Sequence, residues 1–227
     1  MKRAFIQFLL AYFLFCAPGY AQDSWQYFIV ANANLYTPLK SEKGMYPIVG
    51  FNKETKPKLL IGGFGAGFTA WKKLNAKVGM KAQTNLSRSV YWESFLLNDG
   101  PLPSDITGEA VASSADYTFG LTGTMHYYLT PRIAAGTGLG AQVLLGSYLY
   151  LRNAQTIGME GNGYLGRNRY YKTVMPIIPI EFTVKLEKFF VNLRYEYALL
   201  DRLKKDLADY KTETYGLLFF EFGFRIK

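Results

Sequence analysis

Cysteine and histidine are nearly missing from this chain, which carries one of each, Cys16 and His126, among 227 residues. Cys16 lies in an N-terminal stretch with the marks of a removable leader, so the mature chain is expected to have no disulfide and no thiol chemistry. One histidine, without cysteine or clustered carboxylates, offers no ligand set for a transition metal, and no metal or other cofactor is expected. Long apolar runs are lacking too. No later segment reaches the roughly 18 consecutive apolar residues that a membrane helix needs. The glycine-rich stretches Gly62–Gly67 and Gly136–Gly140 lack the helix that a phosphate-cradling loop requires behind it, which leaves bends and close packing within strands as their use.

The leader itself is short. Lys2 and Arg3 precede an apolar run from Ala4 to Cys16, and the small residues Gly19 and Ala21 stand where a signal peptidase reads. This pattern predicts a cleaved signal peptide over residues 1–21 and one domain over residues 22–227. The bulky Phe15 before Cys16 is wrong for lipidation. The formal net charge is +9, and loss of Lys2 and Arg3 with the leader lowers it to +7. No basic helix or RNA-binding signature accompanies that charge, so nucleic acid is not an expected partner and an anionic membrane leaflet is.

What the chain does have is a period of two. Ala76, Val78, Met80 and Ala82 alternate with Lys77, Lys81, Gln83, Asn85 and Ser87 continuing the polar face. Tyr117, Phe119, Leu121, Met125 and Tyr127 alternate with Asp116, Thr118, Thr122, Thr124 and His126. Such alternation marks strands with one apolar and one polar surrounding. Strands are expected at about 24–36, 58–71, 76–92, 114–129, 133–151, 169–186, 189–199 and 213–226. Between them, tight turns at Lys72–Asn75, Thr130–Arg132 and Glu187–Lys188 alternate with long connections at Thr37–Pro57, Glu93–Ser113, Arg152–Asn168 and Leu200–Thr212. Strict alternation of short and long links is the habit of outer-membrane barrels, whose short turns face the periplasm. The fold expected is therefore all-β, an eight-stranded antiparallel up-and-down transmembrane β-barrel with both termini periplasmic. Closure is required because lipid offers nothing to hydrogen-bond an open strand edge.

Aromatic residues make up 17% of the chain, with 18 Tyr and 17 Phe, enough to supply two interfacial girdles. One is expected at the periplasmic ends from Trp25, Tyr27, Tyr127, Phe189, Phe222 and Phe224. The other is expected at the outer ends from Trp92, Tyr117, Tyr171, Tyr195 and Tyr197. Outward positions between them are read as mostly Ala, Val, Leu, Ile and Met.

Three stretches carry a family likeness: Met175–Lys185 (MPIIPIEFTVK), Arg194–Asp201 (RYEYALLD) and Phe220–Ile226 (FEFGFRI). They resemble the small outer-membrane β-barrel proteins of the porin family, PorT-like, that are common in Bacteroidota. The resemblance implies an eight-stranded outer-membrane barrel assembled by the barrel assembly machinery. It implies little about task, because such barrels serve as adhesins, secretion parts, structural proteins and enzymes. Lys227 stands last in place of a terminal aromatic, with Phe224 three residues before it.

Two groups of residues stand out. Inward parity puts Lys81, Glu181, Arg194 and Glu221 at one level of the lumen, where buried charges must pair. Glu181 is expected opposite Arg194 across the turn at Glu187–Lys188 and in direct ion pairing with it. Outward parity puts Lys58, Arg88 and Lys172 toward lipid at the outer ends of their strands. Lys58 and Arg88 are expected at equal height, about a turn centred near Lys73, and suit a lipopolysaccharide phosphate, the alternative being that they simply snorkel to water. His126 is read as a hydrogen-bonded lumen residue, since no serine stands at a useful spacing on its strand. The expected role is structural, surface-interacting or accessory to secretion and envelope assembly, in a monomer with a plugged lumen and no enzymatic activity. A narrow porin-like channel is the alternative, and a lipid-modifying enzyme the third reading.

Overall fold

A computed structural model describes residues 25–41, 45–46, 51–52, 61–96, 109–152, 163–167, 171–202 and 213–226. The leader expected over residues 1–21 lies outside the described residues. Eight strands form the wall: β1 (Gln26–Ser41), β2 (Ile61–Lys73), β3 (Val78–Leu96), β4 (Glu109–Tyr128), β5 (Ile133–Arg152), β6 (Val174–Lys185), β7 (Phe189–Ala198) and β8 (Glu213–Arg225). Each pairs antiparallel with its sequence neighbour, and β1 pairs with β8, so the sheet closes on itself. The eight-stranded antiparallel barrel expected from the alternation is the fold.

Burial follows the pleat with little exception. Along β7 the inward residues Phe190, Asn192, Arg194, Glu196 and Ala198 are buried, whereas Val191, Leu193 and Tyr197 between them are exposed. The same inversion holds around the wall. Phe64 is 62% exposed and Phe220 52% exposed, while Lys81 is 1% and Arg194 0% exposed. The interior is thus polar and charged, and the exterior is apolar, the reverse of a water-soluble domain. Phenylalanines (Phe64, Phe119, Phe182, Phe220) stand on the exterior among the aliphatic residues and methionine expected to make up most of it.

Strand ends depart from the expected bounds in a consistent direction. The β3–β4 ladder continues to Leu96 opposite Glu109, well into the expected Glu93–Ser113 loop, and β1 runs on to Ser41. Gly163–Arg167 adds a short strand beside the end of β5, and Met45–Tyr46 pairs with Phe51–Asn52. Alternation fades where both faces carry polar residues, but backbone pairing does not, so the periodicity undercounts these ladders. β6, by contrast, begins only at Val174 rather than near 169.

Prolines and glycines locate the irregularities. Pro179 lies inside β6, in a closed sheet where proline is not expected because it cannot donate to the ladder. The β5–β6 register is unshifted from Thr137 opposite Ile180 to Gly140 opposite Ile177, but the two positions between them are not bridged. Thr137 restores one link, its hydroxyl donating to the Pro179 carbonyl at 3.0 Å. Leu145 is an extra residue against β4, since Tyr117 faces Gly146 and Thr118 faces Leu144. The inward glycines make room chiefly for amides, hydroxyls and one imidazole. A Cβ on Gly63 would run into the Asn34 amide, and one on Gly136 would lie 2.9 Å from the His126 ring.

Candidate functional site

The lumen is the one place where the sequence puts chemistry that an apolar exterior cannot use. Its layers are described from the end bearing the tight turns to the end bearing the long connections. At the turn end, Phe28, Val30, Trp71 and Phe190 form an apolar floor. Phe28 and Phe190 meet edge to face at 5.0 Å, and the Lys185 ammonium lies 4.8 Å from the Trp71 ring centre.

Directly against this floor lies the first charged layer. Lys81 Nζ reaches across the lumen from β3 to Glu181 Oε2 on β6 at 2.6 Å. His126 Nε2 lies 2.9 Å from the same carboxylate oxygen and 2.9 Å from Thr124 Oγ1, while its ring rests on Trp71 at 4.6 Å. Carboxylate and hydroxyl therefore meet the same edge of the imidazole. A nucleophilic triad needs them on opposite nitrogens, so that the carboxylate orients the ring while the other nitrogen takes the proton.

The second layer is built around Arg194. Its guanidinium lies 2.7 Å from Glu221 Oε1 and 3.0 Å from Glu196 Oε1, with its carbon 4.4 Å from the Phe219 ring centre. Neutral groups complete both acids. Gln83 Nε2 and Asn192 Nδ2 each donate to Glu221 at 2.7 Å, and Thr183 Oγ1 donates to Asn192 Oδ1. Gln142 Nε2 donates to Glu196, and Tyr215 OH donates to Gln142 Oε1 at 3.0 Å. On the glycine-rich wall the filling is uncharged, with Ser89 Oγ donating to Asn34 Oδ1 and Asn85 Nδ2 to Ser87 Oγ.

All four lumen residues singled out in the sequence are buried here, but one pairing is different. Glu181 and Arg194 do stand opposite each other in the β6–β7 register. Their ion pairs nevertheless run elsewhere, Glu181 to Lys81 and Arg194 to Glu221 and Glu196. Closure explains the difference. It brings β3 across the lumen from β6, a proximity that the register of adjacent strands does not contain. Glu196 has the same inward parity as Arg194 two residues away, so periodicity held that signal.

The loop end closes differently. Arg202, in the connection after β7, turns into the barrel mouth and forms an ion pair with Asp116 on β4. Its guanidinium carbon is 3.6 Å from the Tyr171 ring centre, 5.1 Å from that of Tyr215 and 5.7 Å from that of Tyr36. Tyr171, placed in an outward girdle by its spacing, is thus a buried lumen residue. Nothing in the period of a connection predicts that its arginine turns inward.

The three outward cations fare unequally. Arg88 lies on the outer face of β3, its guanidinium carbon 6.0 Å from the Phe64 ring centre. Phe64 and Tyr117 are its cross-strand neighbours on either side. That register centres the β2–β3 turn near Ala76, not Lys73, so Lys58 is not the partner of Arg88. Lys58 itself lies outside the described residues. Lys172 precedes β6 instead of facing outward from it, and its ammonium donates to the Asp201 carbonyl at 2.5 Å. Of the expected girdles, Tyr27 stacks with Phe68, Phe189 with Phe222, and Tyr117 meets Tyr148 edge to face. The Trp92 side chain lies outside the described residues.

No protein-family model matches the chain, and no curated protein does. Several solved structures are similar to the chain over most of its length. Neisserial surface protein A has a TM-score of 0.44 at 9% identity, over 90% of this chain and 100% of its own. The attachment invasion locus protein Ail of Yersinia pestis has a TM-score of 0.40 at 11% identity, over 88% and 99%. OprG of Pseudomonas aeruginosa has a TM-score of 0.39 at 12% identity, over 88% and 96%.

Proposed function

We propose that the chain is an integral β-barrel of an outer membrane, of the PorT-like kind, acting as a structural, surface-interacting or envelope-accessory protein and not as a channel or an enzyme. One observation carries this reading: the barrel is inside out. Exposed Phe, Leu, Ile and Val cover its outer wall, while Lys81, Glu181, Arg194, Glu196 and Glu221 are buried within. In water such an exterior is a severe liability, whereas in hydrocarbon it is the expected surface. The three tight turns and both ends of the described wall, Gln26 and Arg225, share one end of the barrel, which favours a periplasmic location for the termini.

A plugged lumen is the reason for setting the channel reading aside. An eight-stranded barrel is just wide enough for side chains to fill, and here the Arg194 layer crosses it. The same-edge geometry at His126, sealed away from any lipid substrate, speaks against catalysis. Outer-membrane lipid and the barrel assembly machinery are the partners this reading requires, with lipopolysaccharide at Arg88 the specific lipid contact. The barrel is proposed to act as a monomer, and any envelope-protein partner would dock at the long connections.

The test is direct. The chain refolded in detergent should show an almost wholly β circular dichroism spectrum and migrate differently on gels before and after boiling. In planar bilayers it should give no steady conductance of porin size. A monomer soluble in plain buffer would overturn the membrane reading, and steady conductance would overturn the plug.

A further inference from the structure

The barrel mouth holds a chamber that the proposed function does not use. We propose that it is a binding site for a guanidinium or alkylammonium group of an external ligand, occupied in this structure by the chain's own Arg202. Three features make the chamber fit a cation. The rings of Tyr36, Tyr171 and Tyr215 surround the Arg202 guanidinium at 5.7, 3.6 and 5.1 Å. Ring faces carry negative potential and attract cations, best where water is excluded. All three tyrosines are buried.

The second feature is Asp116. Asp116 is 4% exposed, and its carboxylate takes Arg202 on Oδ2 alone. Oδ1 is buried and has no hydrogen-bond partner among the described residues. A guanidinium docked side-on would engage both oxygens as a fork, so the resident arginine uses half of what the carboxylate offers. The third feature is space. A cavity of about 20 Å³ adjoins Arg202, lined by Asp116, Ser89, Thr118 and Gln142 among others, room for about one water-sized group. Withdrawal of Arg202 would add its own volume to that space, enough for the planar head of a second guanidinium.

An anion is the competing ligand, because Lys172 also lines the cavity. Its ammonium, however, is engaged by the Asp201 carbonyl, and the ring faces and Asp116 repel negative charge. The site therefore selects a cation, such as an arginine or amine side chain of a peptide arriving at the loop end. Binding needs Arg202 to leave, so the intact protein should bind more weakly than one without it, by the fraction of time the chamber is open.

The experiment uses the full barrel in detergent micelles with agmatine, which carries both head groups, as the probe, against sodium chloride at equal ionic strength. Arg202→Ala should be stabilised by agmatine, with a melting-temperature rise of about 3–6 °C at some tenfold over its Kd. The double variant Arg202→Ala with Asp116→Asn should show no rise. The unsubstituted barrel should bind the same probe at least tenfold more weakly but measurably. If Arg202→Ala gains nothing over sodium chloride, the chamber is not a cation site. If only Arg202→Ala responds, the chamber is a socket for an internal latch and the external ligand is excluded. Stabilisation of the unsubstituted barrel by phosphate in place of agmatine would assign the site to an anion. None of these outcomes depends on the membrane orientation, so the site and the proposed function fail separately.

Discussion

The turn end and the loop end of the lumen are both filled, yet by residues of different origin. At the turn end every charged side chain of these layers comes from a strand, as does the imidazole: Lys81 from β3, His126 from β4, Glu181 from β6, Arg194 and Glu196 from β7, Glu221 from β8. Their positions are set by the closed wall, and each acid is shared between a cation and neutral donors. At the loop end one partner, Asp116, is on the wall, and the other, Arg202, arrives from a connection. A strand charge can leave its partner only if the wall deforms. A charge on a connection can leave when the connection moves, at a cost confined to its own contacts. The proposed binding site at the mouth rests on this difference between a plug fixed in the wall and one carried by a connection.

The largest expected effect tests the permanent plug. Arg194→Ala would leave Glu196 and Glu221 buried with only Gln83, Gln142 and Asn192 as donors. Loss of one partner from a buried pair costs on the order of 3–5 kcal/mol. Urea unfolding in detergent should show this as a large drop in midpoint, beside an unchanged control, Lys77→Ala, on an exposed turn. A drop no larger than the control's would mean that water already reaches the layer.

Arg202→Ala is expected to cost less, about 1.5–3 kcal/mol, the range for a hydrogen bond to a charged group, because water can enter at the mouth and solvate Asp116. The comparison breaks if this variant is as damaging as Arg194→Ala, for then the mouth is as integral to the wall as the Arg194 layer. It sharpens if Arg202→Ala alone stays non-conducting while Arg202→Ala with Arg194→Ala conducts, since that would place two barriers in series.

How legible each end was in the sequence follows from the same distinction. Parity along a strand assigns a side chain to lumen or exterior without knowing the register, and it placed Lys81, Glu181, Arg194 and Glu221 inside. It could not assign partners across the lumen, because Lys81 and Glu181 lie on strands that are not hydrogen-bonded to each other. A connection has no parity, so Arg202 was invisible, and Tyr171 and Lys172 were misplaced by extending the β6 alternation beyond Val174. Turn length mattered equally. Centring the β2–β3 turn three residues early shifted the register by six and matched Lys58, not Phe64, to Arg88.

Glycine at the floor supplies a third test. Gly136 faces the His126 ring, and an added Cβ would lie 2.9 Å from both its Cε1 and Nδ1 atoms. Gly136→Val should push the imidazole off Trp71 and strain the Lys81–Glu181–His126 layer, costing about 1–3 kcal/mol as overpacking does. Trp71 fluorescence should change, since the ring lies 4.6 Å from His126. An equal substitution at Gly123, which has open space around it, should leave stability nearly unchanged and serves as the comparison.

The smallest effect belongs to the outer wall. Arg88 is the described cation on the outer face of β3, flanked by Phe64 and Tyr117. At the midplane of a bilayer an arginine costs about 2–4 kcal/mol, but near the interface almost nothing. Two aromatic neighbours are the company expected at headgroup level, where rings lie half in hydrocarbon and a guanidinium reaches phosphate. Arg88→Gln should therefore change stability in detergent by well under 1 kcal/mol, as for an exposed charge. Its effect should emerge only when lipopolysaccharide is added. The unsubstituted barrel should then melt at a higher temperature, and Arg88→Gln should lose part of that gain along with some co-purifying lipid. Equal gains for both proteins would remove the phosphate contact and leave Arg88 as a rim charge reaching for water. A large loss already in detergent would mean that Arg88 holds Phe64 and the β2–β3 seam in place, making it a structural residue of the wall.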